Sequence, residues 1–288
     1  MKKGLNFRTI ESQKEYFEAY EKALKLIAMP VVEKYVTTSF GDSHVVCCGD
    51  ENNPPLVLLH ASSCGSPIWY KNLSFWSNYF SVYGIDLIGE SSKSILTRKM
   101  KTPKDNALWL DETLTGLGLE QVFLCGISIG GWNAANYAGF YPEKVIKLVL
   151  LSPVQTFAKM YPSFFFKIMK MGFHPTRENV ENYIGWGSER EEPLPDSIIK
   201  LFTISVMNMN SNASFPKWLK RKQLWNIKMP VLMLLGENEF AFSTKKAVKR
   251  ARTVCGNLEL HIVEGASHLL CASEPDYINN KILEFLTK

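Results

Sequence analysis

Short, continuously apolar runs alternate with segments of helical character along this chain, and this alternation constrains the fold more than any other feature. The apolar runs are LVLLH (56–60), FSVYGID (80–86), QVFLCGIS (121–128), VIKLVLLSP (145–153), PVLMLLGE (230–237) and LELHIVEG (258–265). Continuously apolar strands are typical of a parallel sheet that is covered on both faces. The alternation therefore predicts an α/β fold, with a mostly parallel central sheet and helices on both faces.

The N-terminal segment, residues 1–33, is predicted to be a helical extension of this core. Apolar residues recur at helical spacing over residues 12–29. Ser12 and Glu15 form a capping box that predicts where the helix starts. The chain begins with lysines, as a signal peptide does, but it turns charged where an apolar stretch is needed, so we predict no secretion signal.

Two other segments complete the predicted domain organisation. Residues 34–48 are expected to form a β-hairpin around a turn at Gly41-Asp42. Residues 154–226 interrupt the alternation, because they lack a clear buried strand and are rich in Phe, Met, Trp and Lys. We therefore predict a helical cap over 154–226, inserted into an α/β core that comprises residues 1–153 and 227–288.

The motif G-x-S-x-G occurs at residues 126–130, GISIG, and makes Ser128 the candidate nucleophile. It lies at the carboxyl end of an apolar strand and directly before a helical segment, which is the setting that a nucleophile elbow requires. Glycines two residues on either side of the serine let the backbone turn sharply. The alternative is an ordinary tight turn with a solvated serine, and the strand-to-helix context argues against it.

A serine hydroxyl needs an imidazole to accept its proton, and His268 is the candidate for this base. It follows the last apolar strand, in a loop at the carboxyl edge of the predicted sheet, where catalytic groups collect in open α/β sheets. We interpret the other histidines as structural, or at most as substrate-contacting for the one in the cap. They are His44, His60, His174 and His261.

The imidazole in turn needs a carboxylate to hold its tautomer, and the loop after PVLMLLG offers Glu237 and Glu239. The chain order of serine, acid and histidine is that of α/β-hydrolases and differs from the orders in chymotrypsin and subtilisin. The spacing alone leaves the choice between the two glutamates open.

An oxyanion hole is predicted beside Ser128. One donor is the backbone N–H of Ile129, at the start of a helix whose dipole favours an anion. The other donor is expected from the turn after the third strand, from Ser62 or from its neighbour Ala61.

From about residue 34 to its end the chain resembles the α/β-hydrolase fold superfamily, and in particular the carboxylesterase-like serine hydrolases of bacilli. The resemblance is carried by LVLLHASSCGSPIW, GIDLIGESSKS, GISIGGWNAANYA, LLGENEF and GASHLL. It implies the α/β-hydrolase fold, with residues 154–226 as the family's helical cap. It also implies that Asp86, after the fourth strand, is a structural aspartate.

The resemblance implies roles for further residues. The family's H-G-x turn supplies an oxyanion N–H from its third position, which is Ser62 here, although Ala61 stands where glycine is usual. The family's G-x-x-D motif carries the catalytic acid at its fourth position, which is Glu239 here. Glutamate is one methylene longer than aspartate, so Glu237 stays an alternative.

The candidate substrate-binding residues are Ala61, Trp69 and Phe165. Phe165 belongs to the apolar stretch YPSFFF in the cap, which is expected to line an acyl pocket. Trp69 is also expected to anchor, with Trp76, the helix after the oxyanion turn. Two alternatives for the aromatic stretch are simple packing of the cap onto the sheet and a lid that contacts lipid, because lysines interleave with the aromatic residues.

These residues predict a serine hydrolase that cleaves a carboxylic ester of a small or medium-sized substrate through an acyl-enzyme. Lactonase, perhydrolase and carbon–carbon bond hydrolase activities use the same triad and are alternatives, as is a non-catalytic receptor for a small ligand. We expect no metal and no cofactor, because the sequence contains no H-E-x-x-H or comparable ligand set.

Composition limits the binding partners and the cellular compartment that we expect for this protein. The net charge of +5 is scattered along the chain, whereas nucleic-acid binding needs a basic stripe, so we predict no nucleic-acid partner. No apolar run reaches the roughly 18 residues that span a bilayer, so we predict no stable membrane association. The six cysteines include no C-x-x-C pair, which predicts free thiols in a reducing cytoplasm. We expect a monomer or a homodimer.

Overall fold

A computed structural model describes residues 5–174, 176, 178–179, 194–208 and 215–288 of the chain. Its centre is a single sheet, and the strands found in these residues run in the spatial order β1-β2-β4-β3-β6-β7-β8-β9, with the short β5 paired to β2. The strands are β1 (Val32–Thr38), β2 (Gly41–Cys48), β3 (Pro55–Leu59), β4 (Ser81–Ile85), β5 (Ile95–Leu96), β6 (Val122–Ile127), β7 (Val145–Leu151), β8 (Val231–Gly236) and β9 (Leu258–Val263).

The sheet is parallel from β4 through β3, β6, β7 and β8 to β9, whereas β2 pairs antiparallel with β1, β4 and β5. This confirms the predicted mostly parallel sheet. The two-residue strand β5 was not predicted, because it is too short to show any periodicity.

Helices cover both faces of the sheet. They are α1 (Ile10–Leu24), α2 (Tyr70–Trp76), α3 (Pro103–Gly116), α4 (Ile129–Phe140), α5 (Pro162–Phe173), α6 (Asp196–Asn208), α7 (Arg221–Leu224), α8 (Thr244–Val254), α9 (Leu270–Ser273) and α10 (Pro275–Thr287). Alternate residues of β3 belong to different hydrophobic clusters, Leu56 to one and Val57 to the other. Burial of each such side chain contributes about 1.5–3 kcal/mol, so the continuously apolar strands stabilise both layers at once.

The first helix starts earlier than predicted. Thr9 is its N-cap, because the Thr9 hydroxyl accepts the Ser12 N–H at 3.0 Å and the Ser12 hydroxyl accepts the Thr9 N–H at 3.1 Å. Ser12 is therefore the third helical residue rather than the cap, and Glu15 takes no part in the capping box. The helix also ends at Leu24, five residues before the predicted end.

The hairpin forms as predicted but turns two residues earlier. Gly41 pairs with Thr38 at the start of β2, which leaves Ser39 and Phe40 as the two turn residues. The Thr38 hydroxyl donates to the Gly41 carbonyl at 2.7 Å and closes the turn. The Gly41-Asp42 pair, a common turn signal, is thus part of a strand.

Helices α5, α6 and α7 lie between β7 and β8, within the predicted cap of residues 154–226. Residues 175, 177, 180–193 and 209–214 of that prediction lie outside the described residues. Helix α6 packs against α1, so the N-terminal helix supports the cap from the side. The six cysteines all belong to the described part of the chain, and each is a buried free thiol. None of the described helices is both long enough and apolar enough to cross a bilayer.

Candidate active site

Ser128 occupies the sharp turn between β6 and α4. Its backbone adopts φ +56° and ψ −116°, a left-handed conformation that a side chain rarely takes. The flanking glycines permit this turn: a Cβ on Gly126 would lie 2.3 Å from the Gly130 carbonyl oxygen, and one on Gly130 would lie 2.1 Å from that of Leu59. The turn presents the Ser128 hydroxyl at the carboxyl end of the sheet, which is the geometry of a nucleophile elbow.

His268 and Glu239 come to Ser128 from the loops that follow β9 and β8. The His268 Nε2 lies 2.9 Å from the Ser128 Oγ, and its Nδ1 lies 2.8 and 2.9 Å from the two Glu239 carboxylate oxygens. Because a carboxylate can only accept, the ring proton sits on Nδ1. A neutral imidazole with its proton on Nδ1 accepts at Nε2, which is the nitrogen that faces the serine hydroxyl.

The Glu239 carboxylate is fully buried. Burial alone would raise the pKa of Glu239, but the facing His268, the nearby Ser152 hydroxyl and the Ala241 N–H outweigh it and hold the pKa below its ordinary value. The Ala241 N–H donates to the carboxylate at 2.8 Å. Glu239 is thereby kept as a fixed negative charge behind the imidazole.

Glu237 lies elsewhere. It is exposed, and its carboxylate accepts the Gly265 N–H at 3.0 Å, so it ties the loop after β8 to the loop that leads to His268. Of the two glutamates that the sequence left open, the structure brings Glu239 to His268.

Apolar residues from the cap and the β8 loop surround the imidazole. The ring centroids of Phe240, Phe164 and Phe242 lie 5.5, 6.2 and 6.4 Å from that of His268. Phe164 belongs to α5, and the chain before α5 is fixed to the β8 loop by the bond from the Tyr161 N–H to the Ala241 carbonyl, 2.8 Å. Helix α5 and the chain before it therefore adjoin the loop that carries Glu239.

Of the predicted oxyanion donors, Ile129 directly follows Ser128 in the chain, and Ser62 lines the same cavity as Ser128. Ile129 is the first residue of α4, where a backbone N–H has no intrahelical partner. Ser62 lies in the loop after β3. That loop is anchored by His60, whose Nε2 accepts the Leu87 N–H at 2.8 Å and whose Nδ1 lies 2.7 Å from the Ala61 carbonyl. His60 therefore connects this loop to the backbone after β4.

A cavity opens at Ser128 and His268, with about 590 Å³ of empty space when the adjoining open solvent is included. Ala61 and Ser62 line it. Apolar side chains form much of the remaining wall; those that matter below are Ile198, Ile199, Phe202, Phe240 and Leu269.

Two predicted substrate-binding residues lie away from this cavity. Trp69 is fully buried in the core, with its ring centroid 6.0 Å from that of Trp76, and its neighbour Ile68 lines the cavity instead. Phe165 is 36% exposed on the outer side of α5, where it packs against Phe215, while Phe164 points inward. Composition does not fix which of several neighbouring apolar residues turns toward the cavity.

Two parts of the candidate site were not predicted from the sequence: the cavity wall that α6 forms, and Glu90. The α6 residues Ile198 and Phe202 recur at helical spacing, so the amphipathic pattern could have indicated an inward face. Glu90 is a buried acid in the loop after β4, and its carboxylate accepts a hydrogen bond from the Ser62 hydroxyl at 2.8 Å. An acid at the carboxyl end of a strand was the available signal.

The arrangement can move a proton from Ser128 to His268 while Glu239 stabilises the resulting imidazolium. Within the described ranges, no group of three or more His, Cys, Asp or Glu side chains is placed to hold a metal ion.

Comparisons with known proteins agree with this geometry. A family model described as alpha/beta hydrolase fold matches residues 54–275. The uncharacterized carboxylesterase nap of Bacillus subtilis (strain 168) is 32% identical over 278 residues, which cover 94% of this chain and 91% of that protein.

Two solved structures from Bacillus subtilis superpose with a TM-score of 0.91 each. One is the carboxylesterase CesB (YbfK), at 30% identity over 96% of this chain and 99% of that one. The other is a naproxen esterase, carboxylesterase NP, at 29% identity over 97% and 99% of the two chains.

Proposed function

The chain belongs to the alpha/beta hydrolase family, and on that premise we propose that it is a carboxylesterase that cleaves its substrate through an acyl-enzyme on Ser128. In this proposal His268 is the general base and Glu239 orients it. The Bacillus relatives named as carboxylesterases support the reaction class.

The observation that carries the proposal is the continuous hydrogen-bonded chain from Ser128 through His268 to a buried Glu239, with heavy-atom distances of 2.8–2.9 Å. A serine hydroxyl without a base is a weak nucleophile, and this arrangement supplies the base with its tautomer fixed.

In the acylation step, the Ser128 oxygen attacks the ester carbonyl while the His268 Nε2 takes the hydroxyl proton. The carbonyl oxygen becomes an oxyanion, which receives hydrogen bonds from the N–H groups of Ile129 and Ser62. As the tetrahedral intermediate collapses, the C–O bond of the ester breaks and His268 returns the proton to the departing alcohol. The acyl group is left on Ser128.

In the deacylation step, His268 takes a proton from a water molecule, and the resulting hydroxide attacks the acyl carbon. The bond to the Ser128 oxygen breaks, the serine regains the proton from His268, and the carboxylic acid leaves. Each oxyanion donor contributes about 3 kcal/mol to lowering the barrier.

The apolar cavity supports a substrate with an apolar acyl or alcohol portion, held beneath the cap of residues 154–226. Its α6 wall and Phe240 offer mainly hydrocarbon surface, which favours aliphatic or aromatic groups over charged ones.

The test is hydrolysis of p-nitrophenyl esters of rising acyl length by wild type and by Ser128→Ala. We expect turnover by the wild type and its loss in the variant. A fluorophosphonate probe should add one label, which peptide mapping places on Ser128. Absence of turnover by the wild type across the series, or labelling that survives Ser128→Ala unchanged, would contradict the proposal.

A further inference from the structure

Glu90 is a buried acid that the proposed reaction does not use. It follows β4 and is 5% exposed. One of its carboxylate oxygens, Oε2, accepts two hydrogen bonds from the loop after β3. The donors are the Ser62 hydroxyl at 2.8 Å and the Ser63 backbone N–H at 3.2 Å. A buried carboxylate thus grips the loop that carries a predicted oxyanion donor.

The loop that Glu90 holds, residues 61–64, contains a strained backbone position. Ser63 adopts φ +62°, in the left-handed region, without being a glycine. Such a conformation costs of order 1–3 kcal/mol and persists only where its surroundings enforce it. The Cys64 N–H closes the turn onto the Ala61 carbonyl at 3.3 Å, and the two bonds to Glu90 hold the outer side of the turn.

Glu90 is itself held firmly enough to act as an anchor. Its carbonyl accepts a hydrogen bond from the fully buried Asn6 side chain at 2.8 Å. The same amide group reaches the Ser94 carbonyl at 3.2 Å, so it joins the middle of the loop after β4 to its end. The carboxylate therefore projects from a backbone that is fixed at both sides.

We propose that Glu90 is a positioning residue for ester hydrolysis, whose carboxylate holds residues 61–64 in the shape that turns the Ser62 N–H toward the reacting carbonyl. This inference rests on the proposed function. Glu90 acts through Ser62 and Ser63 rather than on the substrate, because a carboxylate cannot donate to an oxyanion and its like charge opposes one.

Two substitutions distinguish the effect of the hydrogen bonds of Glu90 from the effect of its charge. Glu90→Gln keeps an acceptor oxygen for Ser62 and Ser63 and removes the charge. Glutamine has nearly the same size and shape as glutamate, so this substitution changes the packing little. Glu90→Ala removes both the bonds and the charge.

The experiment compares Glu90→Ala and Glu90→Gln with wild type in three assays: kcat and KM for a p-nitrophenyl ester, the rate of Ser128 labelling by a fluorophosphonate, and amide hydrogen exchange of residues 61–64. The matched control is Glu112→Ala. Glu112 also accepts a backbone N–H from a turn, that of Ser39 at 2.7 Å, but in the hairpin between β1 and β2.

We expect Glu90→Ala to lower kcat by about 10- to 100-fold with little change in KM, below the roughly 10²- to 10³-fold loss from removing one oxyanion donor outright. Labelling should slow by a similar factor, and exchange at the Ser63 amide should accelerate. Glu90→Gln should recover most of the rate, and Glu112→Ala should match the wild type.

An unchanged kcat in Glu90→Ala would overturn the proposal, as would an equal loss in Glu90→Ala and Glu90→Gln, which would assign the effect to charge. If Glu90→Ala does not fold, Ser62→Ala removes one of the two bonds while keeping the Ser62 N–H, and it must still lower kcat. If the wild type turns over no ester, the proposed function fails alone, since labelling and exchange still decide whether Glu90 positions the loop.

Discussion

His268 and His44 each lie beside a carboxylate, and the two histidines differ in what faces the second ring nitrogen. His268 has Glu239 at its Nδ1, 2.8 Å away, and the Ser128 hydroxyl at its Nε2. His44, on β2, has Asp86 at its Nδ1, 3.0 Å away, and a second carboxylate, that of Glu33, at its Nε2, 2.7 Å away.

The partner of the second nitrogen decides whether that nitrogen can accept a proton. Two carboxylates can only accept, so His44 donates from both nitrogens and carries a positive charge. Burial lowers the pKa of His44, but the hydrogen bonds to Asp86 and Glu33 outweigh it and leave the pKa raised. The Nε2 of His268 faces a hydroxyl that can donate, so this nitrogen has a partner from which it can accept.

The same pair of residue types is therefore suited to different tasks. The His44 pair joins the N-terminal hairpin to the end of β4 as a closed ion network, with no nitrogen left to accept a proton. The His268 pair keeps one nitrogen open toward the cavity. The difference separates a stabilising element from a proton acceptor, and mutations can test it from both sides.

The largest effect is expected from His268→Gln. It removes the base while leaving the core packing intact, so kcat should fall by about 10⁴-fold or more. The loss of kcat should persist in protein that a thermal melt shows to be folded. Ester hydrolysis and a thermal melt, measured on the same preparation, check this. Activity within tenfold of the wild type would show that His268 is not the base.

Glu239→Gln should have the next largest effect. An amide cannot hold the Nδ1 proton in place, and the imidazolium loses its counter-charge, so kcat should fall by about 10³- to 10⁴-fold. Glu237→Gln is the matched control, because Glu237 is a neighbouring glutamate whose partner is the Gly265 N–H. Comparable losses of kcat in both variants would mean that both glutamates help to orient His268.

The proximity of Ser128, Glu239 and His268 was predictable because each residue follows an apolar strand, directly or within a short loop, and parallel strands end at one edge. The backbone of the turn also supported the prediction of Ser128. The glycines of GISIG lie where the turn brings other backbone atoms too close for a side chain, and they flank a serine with positive φ. The fold class was predictable because strands that are buried on both faces are apolar at most positions of the sequence.

Other parts of the site depend on contacts that local patterns do not record. Glu90 reaches Ser62 across 28 residues of sequence, and no motif connects a loop after β4 with a loop after β3. Phe165 and Trp69 were misplaced because neighbouring residues are equally apolar, and only packing decides which one turns inward. The N-cap at Thr9 was missed because Ser12 satisfies the same pattern three residues later.

His44→Gln should affect stability rather than chemistry. It leaves Asp86 buried without its counter-charge, and breaking a buried pair from one side costs about 3–5 kcal/mol of unfolding free energy. The folded variant should keep a kcat close to that of the wild type. The control is His261→Gln, whose partner Glu259 lies 2.9 Å away at a half-exposed site, where a pair contributes about 0–1 kcal/mol. Urea unfolding of both variants measures the difference.

A loss of kcat in folded His44→Gln without a loss of stability would contradict the division of labour between the two pairs. It would mean that the network around Asp86 controls the site. Asp86 is the route by which this could happen, because it also accepts the Ser66 N–H at 2.8 Å and lies 4.0 Å from His60, which anchors the loop after β3.

The smallest effect is expected in the pH dependence of stability, and its sign follows from the network. The hydrogen bond from His44, aided by Lys93, lowers the pKa of Glu33 to about 2. Burial raises the pKa of Asp86, but the bond and charge of His44 outweigh it and leave that pKa lowered too. Lys93 is the second cation of this group; it pairs with Glu33 at 2.5 Å and with Glu21.

The two carboxylates, with folded pKa values below their unfolded ones, contribute stability above their ordinary values of about 4, and the contribution is lost as the pH falls through the folded values. His44, with a raised folded pKa, contributes fully below its ordinary value of about 6.5, and its contribution is lost as the pH rises through the folded value. The unfolding free energy of wild type minus that of His44→Gln should therefore be greatest between about pH 4.5 and 6.5 and should shrink on either side. Taking this difference cancels the titration of groups outside the network, including Glu239. Urea unfolding at intervals from pH 3 to 9 measures it, and a difference that stays constant, or that grows above pH 7, would show that His44 is not charged in the folded protein.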